Sequence, residues 1–550
     1  MSNALQNFLE NEVEVKTNTP LTVRTPGRSD EVLNDTGSYV FKTDRRLERF
    51  LILGTDGGNY YADEKKLTKD NVEFVRKLIK DNERLVVDTL IDVSVNGRAV
   101  RQSPTLFTLA LVLAEGKDKA YARQAVDKVV RTATHLYEFA TYIDTLAGWG
   151  RAKRGAVADW FTSKDANSLA YQAVKYRSRT VNGKTWTLRD LMRLSHPEGV
   201  DVNVGNFILG KDAVAEATEP VILDGFREVQ RAGNVNDLKV ILSTYKNLPW
   251  EALPTQFLKD AAVWKTLFYN NQLNGQALVR NITRLARIDA FKDMKFAADY
   301  AARLTDEEMI ERTLLHPINY LNAAIVHAEG QIERTTPGMD YWGGSRNARS
   351  RKRDWTPSSK IAEALNEGFH LAFKNVEPAN KRTLVAVDVS SSMASFAGNG
   401  LDLSAAQIAA AVAMTIARTE PYSEIVGFSH LIKQLGITSK TSLDDAMRKV
   451  QDRNFGSTDV GSAIQYALDK KIDVDTFVII TDNQTNSGRK PTQVLREYRQ
   501  TTGIDARLAV LAVTATDYSV ADPKDDREMD FVGFDSSAPK ILAEFSAGRL

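Results

Sequence analysis

Residues 384–392, Leu-Val-Ala-Val-Asp-Val-Ser-Ser-Ser, constrain the fold more than any other stretch of the chain. A run of branched apolar residues ends at Asp388, and Ser390 and Ser392 follow at alternate positions before a long helical pattern. An apolar run of this length that breaks into a polar loop and then a helix reads as a buried parallel strand. Open α/β sheets bind ligands at the carboxyl ends of such strands. One carboxylate and two hydroxyls there are hard oxygen donors, suited to Mg²⁺ or Mn²⁺ and not to Zn²⁺. The same residues also read as a strand followed by a serine-capped helix. This stretch alone leaves both readings open.

Two later stretches bear on that choice. Asn454-Phe455-Gly456-Ser457-Thr458-Asp459 is a glycine-containing turn before an amphipathic run, which sets Thr458 at a loop-to-helix junction. Thr476 to Asp482 is a second buried strand pattern ending in an aspartate. Together the three stretches resemble the metal-ion-dependent adhesion site of von Willebrand factor A domains. The resemblance implies that Ser390, Ser392 and Thr458 contact a divalent metal directly, Mg²⁺ or else Mn²⁺. Asp388 and Asp482 would hold it directly or through water, with one position left for a partner's acidic group.

From residue 381 onward, strand patterns (384–387, 424–428, 476–480, 507–513 and one near Phe531) alternate with helical ones (404–417, 443–450, 462–470, 492–501 and 539–545). That alternation predicts a doubly wound parallel sheet. Residues 1–40 are polar, with Pro20, Pro26, Gly27 and Gly37, and read as an extended arm. From 45 to about 328 the pattern is repeated amphipathic helix, with short connections of the kind that stack into a HEAT-like α-solenoid, and it breaks from 329 to about 356. The predicted helices include 120–130, 136–145, 156–161, 188–194, 238–245, 257–269, 282–288 and 294–303. Residues 106–113 are apolar almost all round, so the helix they form is expected between neighbours. The predicted organisation is α plus α/β: an arm over 1–40, a helical domain over 41–370 and an A-type domain over 371–550.

The 550 residues carry a formal net charge of +1, so any surface for nucleic acid must be local. There is no cysteine, which excludes disulfides, zinc–thiolate sites and thiol nucleophiles. No signal-peptide pattern opens the chain, and no apolar run is long enough to span a bilayer, so a cytoplasmic protein is expected. Residues 345–353 hold five basic residues and no acid, a solvated linker or a phosphate-binding arm.

The basic residues gather most densely over 151–196, ten against three acids, with Tyr176 and Trp186 interleaved. Arginine beside aromatic residues supplies phosphate contact and base stacking, and a solvated helix face is the plainer reading. Lys175, Arg177 and Arg179 would share one side of an extended segment and fan out around a helix. His196, before Pro197, suits a helix end, where it can satisfy the last carbonyls of 188–194. Asn182-Gly183 predicts a tight hairpin.

Gly57-Gly58-Asn59-Tyr60-Tyr61, Arg131-Thr132-Ala133-Thr134-His135-Leu136, Gly148-Trp149-Gly150-Arg151-Ala152, Ala158-Asp159-Trp160, Val174-Lys175-Tyr176 and Leu191-Met192-Arg193-Leu194-Ser195-His196 resemble the TROVE module of telomerase-associated, Ro and vault proteins. With the A-type domain after it, the whole is similar to the Ro autoantigen family of ribonucleoproteins, in a bacterial or phage form. That resemblance implies a monomeric helical ring with a basic hole. It implies small structured Y RNA on the outer surface, contacted by Lys175, Arg179 and His196, and single-stranded 3′ ends of misfolded noncoding RNA in the hole. Arg151, Arg154 and Arg177 are added as RNA-binding candidates from the same patch. The implied role is RNA quality control or decay, with polynucleotide phosphorylase or another exoribonuclease as partner. Residues 180–185 are longer than the linker expected in the family, so the hairpin they form could shift how His196 meets RNA.

No H-E-x-x-H, P-loop or Ser/His/Asp set accompanies the candidate metal ligands, so no enzyme is expected. The alternative is a metal-dependent protein-interaction module that binds no RNA.

Overall fold

The structure is a computed structural model that describes residues 19–42, 45–53, 64–99, 102–181, 183–212, 220–330, 354–373, 378–390, 393, 405–450, 457–513, 516, 518–532 and 538–549. The 57–61 motif, the 345–353 basic run, Asn182 and Ser392 lie outside them. The chain divides into two compact units, Met1–Glu73 with Asn375–Leu550, and Phe74–Lys374. The boundary expected at 41 falls inside a strand, and the residues up to Glu73 group with the C-terminal unit.

In that first unit, β1 (Glu31–Leu33) and β2 (Tyr39–Lys42) form an antiparallel hairpin, which pairs with β10 (Tyr518–Ser519) in a three-stranded sheet. Residues of the expected arm thus form a sheet with a strand from the C-terminal part of the chain. Charge holds them there as well. Lys490 Nζ lies 2.9 Å from Glu31 Oε1 with both side chains buried, and Arg28 forks onto Asp522 at 2.7 and 2.6 Å.

The second unit is helical, and short polar side chains start its helices by accepting from exposed first-turn amides. Thr132 caps α1 (Ala133–Ala147), and Asp165 caps α3 (Ala166–Lys175). Between them α2 (Arg151–Thr162) buries Trp160 and Phe161. Thr187 and Asp190 form a reciprocal capping box on α4 (Leu188–Ser195). Next come α5 (Val221–Arg231) and α6 (Val235–Thr244), the second capped by Asn234. The helix Ser103–Glu115 buries Leu106 and all of Leu109 to Leu113, as its apolar pattern predicts.

Tertiary packing moved several boundaries. The expected helix 120–130 is two pieces, Lys119–Arg123 and Val126–Val129, each packed on α2. The expected helix 257–269 begins as a 3₁₀ turn, Thr255–Lys259, and restarts at Ala261 because Asp260 caps the Ala262 amide at 2.7 Å.

Back in the first unit, the six-stranded sheet has the order β11-β9-β8-β5-β6-β7. Its strands are β5 (Thr383–Asp388), β6 (Ser423–Phe428), β7 (Ile432–Gln434), β8 (Thr476–Thr481), β9 (Arg507–Ala512) and β11 (Glu528–Val532). All pair in parallel except β7, an antiparallel edge strand that the sequence pattern does not reveal. Every residue of β5 and of β8 is buried, which is why both read as unbroken apolar runs. The expected helices 443–450 and 462–470 have the bounds Leu443–Val450 and Ser462–Lys470. The chain leaves β5 toward β6 on one side and reaches β8 on the other, so the sheet's switch point lies between β5 and β8.

Candidate RNA-contact patch and candidate metal site

Register explains the basic patch. The strands β3 (Ser178–Val181) and β4 (Lys184–Thr187) form the hairpin expected from Asn182-Gly183, with Arg179 opposite Trp186 and Val181 opposite Lys184. Gly183 has φ +78°, a left-handed conformation suited to that tight turn. Strand alternation puts Arg179, Lys184 and Trp186 on one face, and that face lies on α1. Trp186 Nε1 donates to Thr141 Oγ1 at 3.1 Å, Lys184 pairs with Asp144, and Arg179 Nη2 lies 3.5 Å from Glu138 Oε2. The hairpin is thus seated on a helix by its tryptophan, and its other face carries Thr180 and Thr185, hydroxyl to hydroxyl at 2.7 Å.

Lys175, Arg177 and Arg179 follow neither simple geometry. Lys175 ends α3, Arg177 lies in the connection, and Arg179 is in β3. Lys175 Nζ donates to the Tyr171 hydroxyl at 3.3 Å, sits over the Tyr171 and Tyr176 rings, and is 3.9 Å from Glu251 Oε1. Burial pushes its pKa down, but Tyr171, Tyr176 and Glu251 outweigh burial and leave it raised. Arg177 lies over the Phe226 ring at 5.0 Å. Exposed Arg151 and Arg154 belong to the first turn of α2. His196 follows α4 in the left-handed region with φ 48°, exposed, and its backbone amide donates to Met192 O at 3.0 Å. At this helix end the Met192 carbonyl is met by the main chain of His196 and the Leu191 carbonyl by the Ser195 hydroxyl at 2.8 Å.

His135 sits below the hairpin, where burial and the nearby Arg131 and Arg179 push its pKa down to about 3. The sequence reading missed Glu138 and Glu251, the acidic counterweights of Arg179 and Lys175. Each is distant in the chain from its partner, so no local pattern could have found them.

At the switch point, β5 ends in Asp388 and β8 runs into Asp482, both fully buried. Asp388 Oδ1 accepts the Ser390 amide at 2.9 Å and Oδ2 accepts the Thr481 hydroxyl at 2.8 Å. Burial raises the Asp388 pKa despite these donors. Asp482 Oδ1 accepts the Gln484 amide at 3.1 Å. Thr458, also buried, is held by the same loop: Thr458 O accepts the Asn486 amide at 2.9 Å, and the Thr458 amide donates to Asn486 Oδ1 at 2.6 Å. Four of the five candidate metal ligands therefore lie on segments joined by hydrogen bonds around one pair of strand ends; Ser392 is outside the described residues. Two buried carboxylates beside hydroxyl and carbonyl oxygens form an all-oxygen set, which fits a hard divalent cation. Behind this loop stands the N-terminal hairpin. Asn34 Nδ2 donates to Thr485 O at 3.0 Å, and Asp35 Oδ2 accepts from Gln484 Nε2 at 3.0 Å and from the Tyr518 hydroxyl at 2.9 Å. The sequence reading did not anticipate this support.

Among the described residues, no helix is long and apolar enough to cross a membrane.

Comparison with known proteins agrees with both halves. The family described as TROVE domain matches residues 32–219 and 223–381, and the Ro60 vWA domain matches 382–546. The chain is 35% identical over 546 residues to RNA-binding protein RO60 of Deinococcus radiodurans, covering 97% of this chain and 98% of that one. It is 30% identical over 635 residues to RNA-binding protein RO60 of Caenorhabditis elegans, covering 99% and 95%. The crystal structure of the Deinococcus radiodurans RO (RSR) protein matches with a TM-score of 0.65 at 35% identity, over 92% of this chain and 99% of that chain.

Proposed function

The chain belongs to the Ro60 family, a TROVE domain followed by a vWA domain, and from that premise we propose that it is a non-enzymatic RNA-binding scaffold. The single observation that carries the proposal is the cation patch on the helical unit. Exposed Arg151 and Arg154 lie in the first turn of α2, half-buried Lys175 ends α3, exposed Arg177 and Arg179 lie in the connection and in β3, and exposed His196 follows α4, which packs on α2.

In the finer reading, Lys175, Arg179 and His196 bind a small structured Y-type RNA. Their contacts go to phosphates, so affinity falls steeply with salt and carries little sequence information. Glu138 and Glu251 position Arg179 and Lys175 in the absence of RNA. Phosphate would compete with these carboxylates, which favours a polyanion over a single anion. A ring hole that passes single strands selects noncoding RNA with an unpaired 3′ tail, and an exoribonuclease such as polynucleotide phosphorylase acts on what is delivered, in the cytoplasm.

Asp388, Ser390, Ser392, Thr458 and Asp482 are proposed to hold Mg²⁺ or Mn²⁺ at the vWA switch point. A bound cation there would offer one coordination position to a partner's carboxylate. Thr481 and Gln484 orient the two aspartates for that role, and burial keeps water from competing.

The test is to purify the full chain from its native host at low salt and sequence what is bound. One small structured RNA, lost in a high-salt wash, is the expected result. Protein free of nucleic acid overturns the RNA-scaffold reading in favour of a metal-dependent protein-interaction module.

A further inference from the structure

Beside the cation patch, α3, α5 and the turn after α6 border an open cleft of about 360 Å³ lined by Asn167, Ser168, Tyr171, Gln172, Ile222 and Asn247. That volume is at the small end of small-molecule sites. No lining side chain is charged, so the cleft is not built for a phosphate.

The hydrogen bonds already made fix what the lining still offers. Gln172 Oε1 accepts the Ala133 amide at 2.8 Å, which leaves its NH₂ as a donor. Ser168 Oγ donates to Asp165 Oδ2 at 2.5 Å, which leaves its oxygen as an acceptor. The Tyr171 hydroxyl accepts from Lys175 Nζ at 3.3 Å and keeps its own proton to donate. Exposed Asn167 and Asn247 present both roles. Ile222, buried, supplies an apolar surface. Uncharged donors and acceptors around one apolar side chain match the edge and face of a nucleobase. RNA is read in sequence mainly through unpaired bases offered in this way.

We propose that this cleft is a subsite for one unpaired nucleobase of a bound RNA, with the adjoining phosphate at Lys175. Tyr171 links the two: it lines the cleft and is hydrogen-bonded to the cation. The proposal rests on the RNA-scaffold reading. It adds a position at which base identity matters to an interface otherwise made of phosphate contacts.

Two measurements on the full-length protein test it, both with short single-stranded oligoribonucleotides in a fluorescence binding assay. First, the double variant Asn167→Ala with Asn247→Ala should bind about tenfold more weakly, the scale of one well-formed base contact, with an unchanged slope of log affinity against log salt. Both residues are exposed, and thermal melting checks that the variant is folded. Second, the unsubstituted protein should lose a similar factor on an oligomer made abasic at the position that occupies the cleft, found by moving one abasic site along the strand. On that oligomer the double variant should show no further loss. Wild-type binding that no abasic site weakens overturns the subsite and leaves the scaffold reading standing, as does a double variant of wild-type affinity. A wild type that binds neither these oligomers nor a structured small RNA overturns both, and one that binds the structured RNA alone overturns only the subsite.

Discussion

The Thr481 hydroxyl donates to Asp388 Oδ2 over 2.8 Å, tying the two central strands at the ends that carry the candidate metal ligands. Both residues are fully buried. Thr481→Val keeps the shape and removes the donor, so the buried carboxylate loses one of its partners. A loss of about 1–3 kcal/mol is expected from urea unfolding in chelator, the usual cost of a buried polar group left short. A stability equal to wild type would show that Asp388 does not depend on this contact.

Mg²⁺ at a concentration well above its dissociation constant should raise the melting temperature of the wild type, since a ligand that binds only the folded state stabilises it. Asp388→Ala should show no such rise. A variant that gains as much as the wild type would remove Asp388 from the metal site.

Lys175→Ala with Arg179→Ala should weaken binding of structured RNA and flatten its salt dependence by close to two phosphate contacts, about 0.9 per contact on a duplex. Retention of both the wild-type affinity and the wild-type slope would move the RNA interface elsewhere on the helical unit.

Glu528 is buried, and burial raises its carboxyl from 4.5 to about 8, although the Asp522 amide donates to it at 2.8 Å. The folded chain therefore holds a proton that the unfolded chain releases. That stabilisation is fully present below pH 4.5, declines as pH rises and is gone above about 8. The decline is at most about 1.4 kcal/mol per pH unit. Glu528→Gln keeps an acceptor for the amide and should flatten this part of the stability curve, measured by denaturant unfolding between those limits. An unchanged pH profile would assign the decline to another group.

Arg49 is fully buried, donating to Thr516 O and Oγ1 at 3.0 Å each and also to Tyr518 O and Asp530. Lysine cannot reproduce that fork. Arg49→Lys keeps the charge but leaves buried acceptors short of a donor and should cost about 1–3 kcal/mol, read by chemical unfolding. A loss under 1 kcal/mol would mean that the segment Arg46–Leu53 contributes little to its unit.

The A-type half was legible nearly residue by residue. Buried parallel strands such as Thr476–Thr481 are continuous apolar runs, and helices such as Ser462–Lys470 alternate with them at lengths that leave few topologies. The helical half was legible in type but less so in detail. Ala166–Lys175, which carries Lys175 and four of the six cleft-lining residues, escaped notice because its polar first turn, Asn167 and Ser168, resembles a loop. The edge strand Ile432–Gln434 escaped because three residues are too few to show a period.

The sequence by itself determined the two domain types, the oxygen donors at strand ends and the cation-rich stretch, because each is written in consecutive residues with a physical period. Only the tertiary structure decided that the N-terminal hairpin groups with the C-terminal part of the chain. It alone paired Arg179 with Glu138 and Lys175 with Glu251, and brought Asn247 across from Asn167. Those relationships join positions tens to hundreds of residues apart, and local propensity carries no information about which distant partner will neutralise a charge or close a cleft.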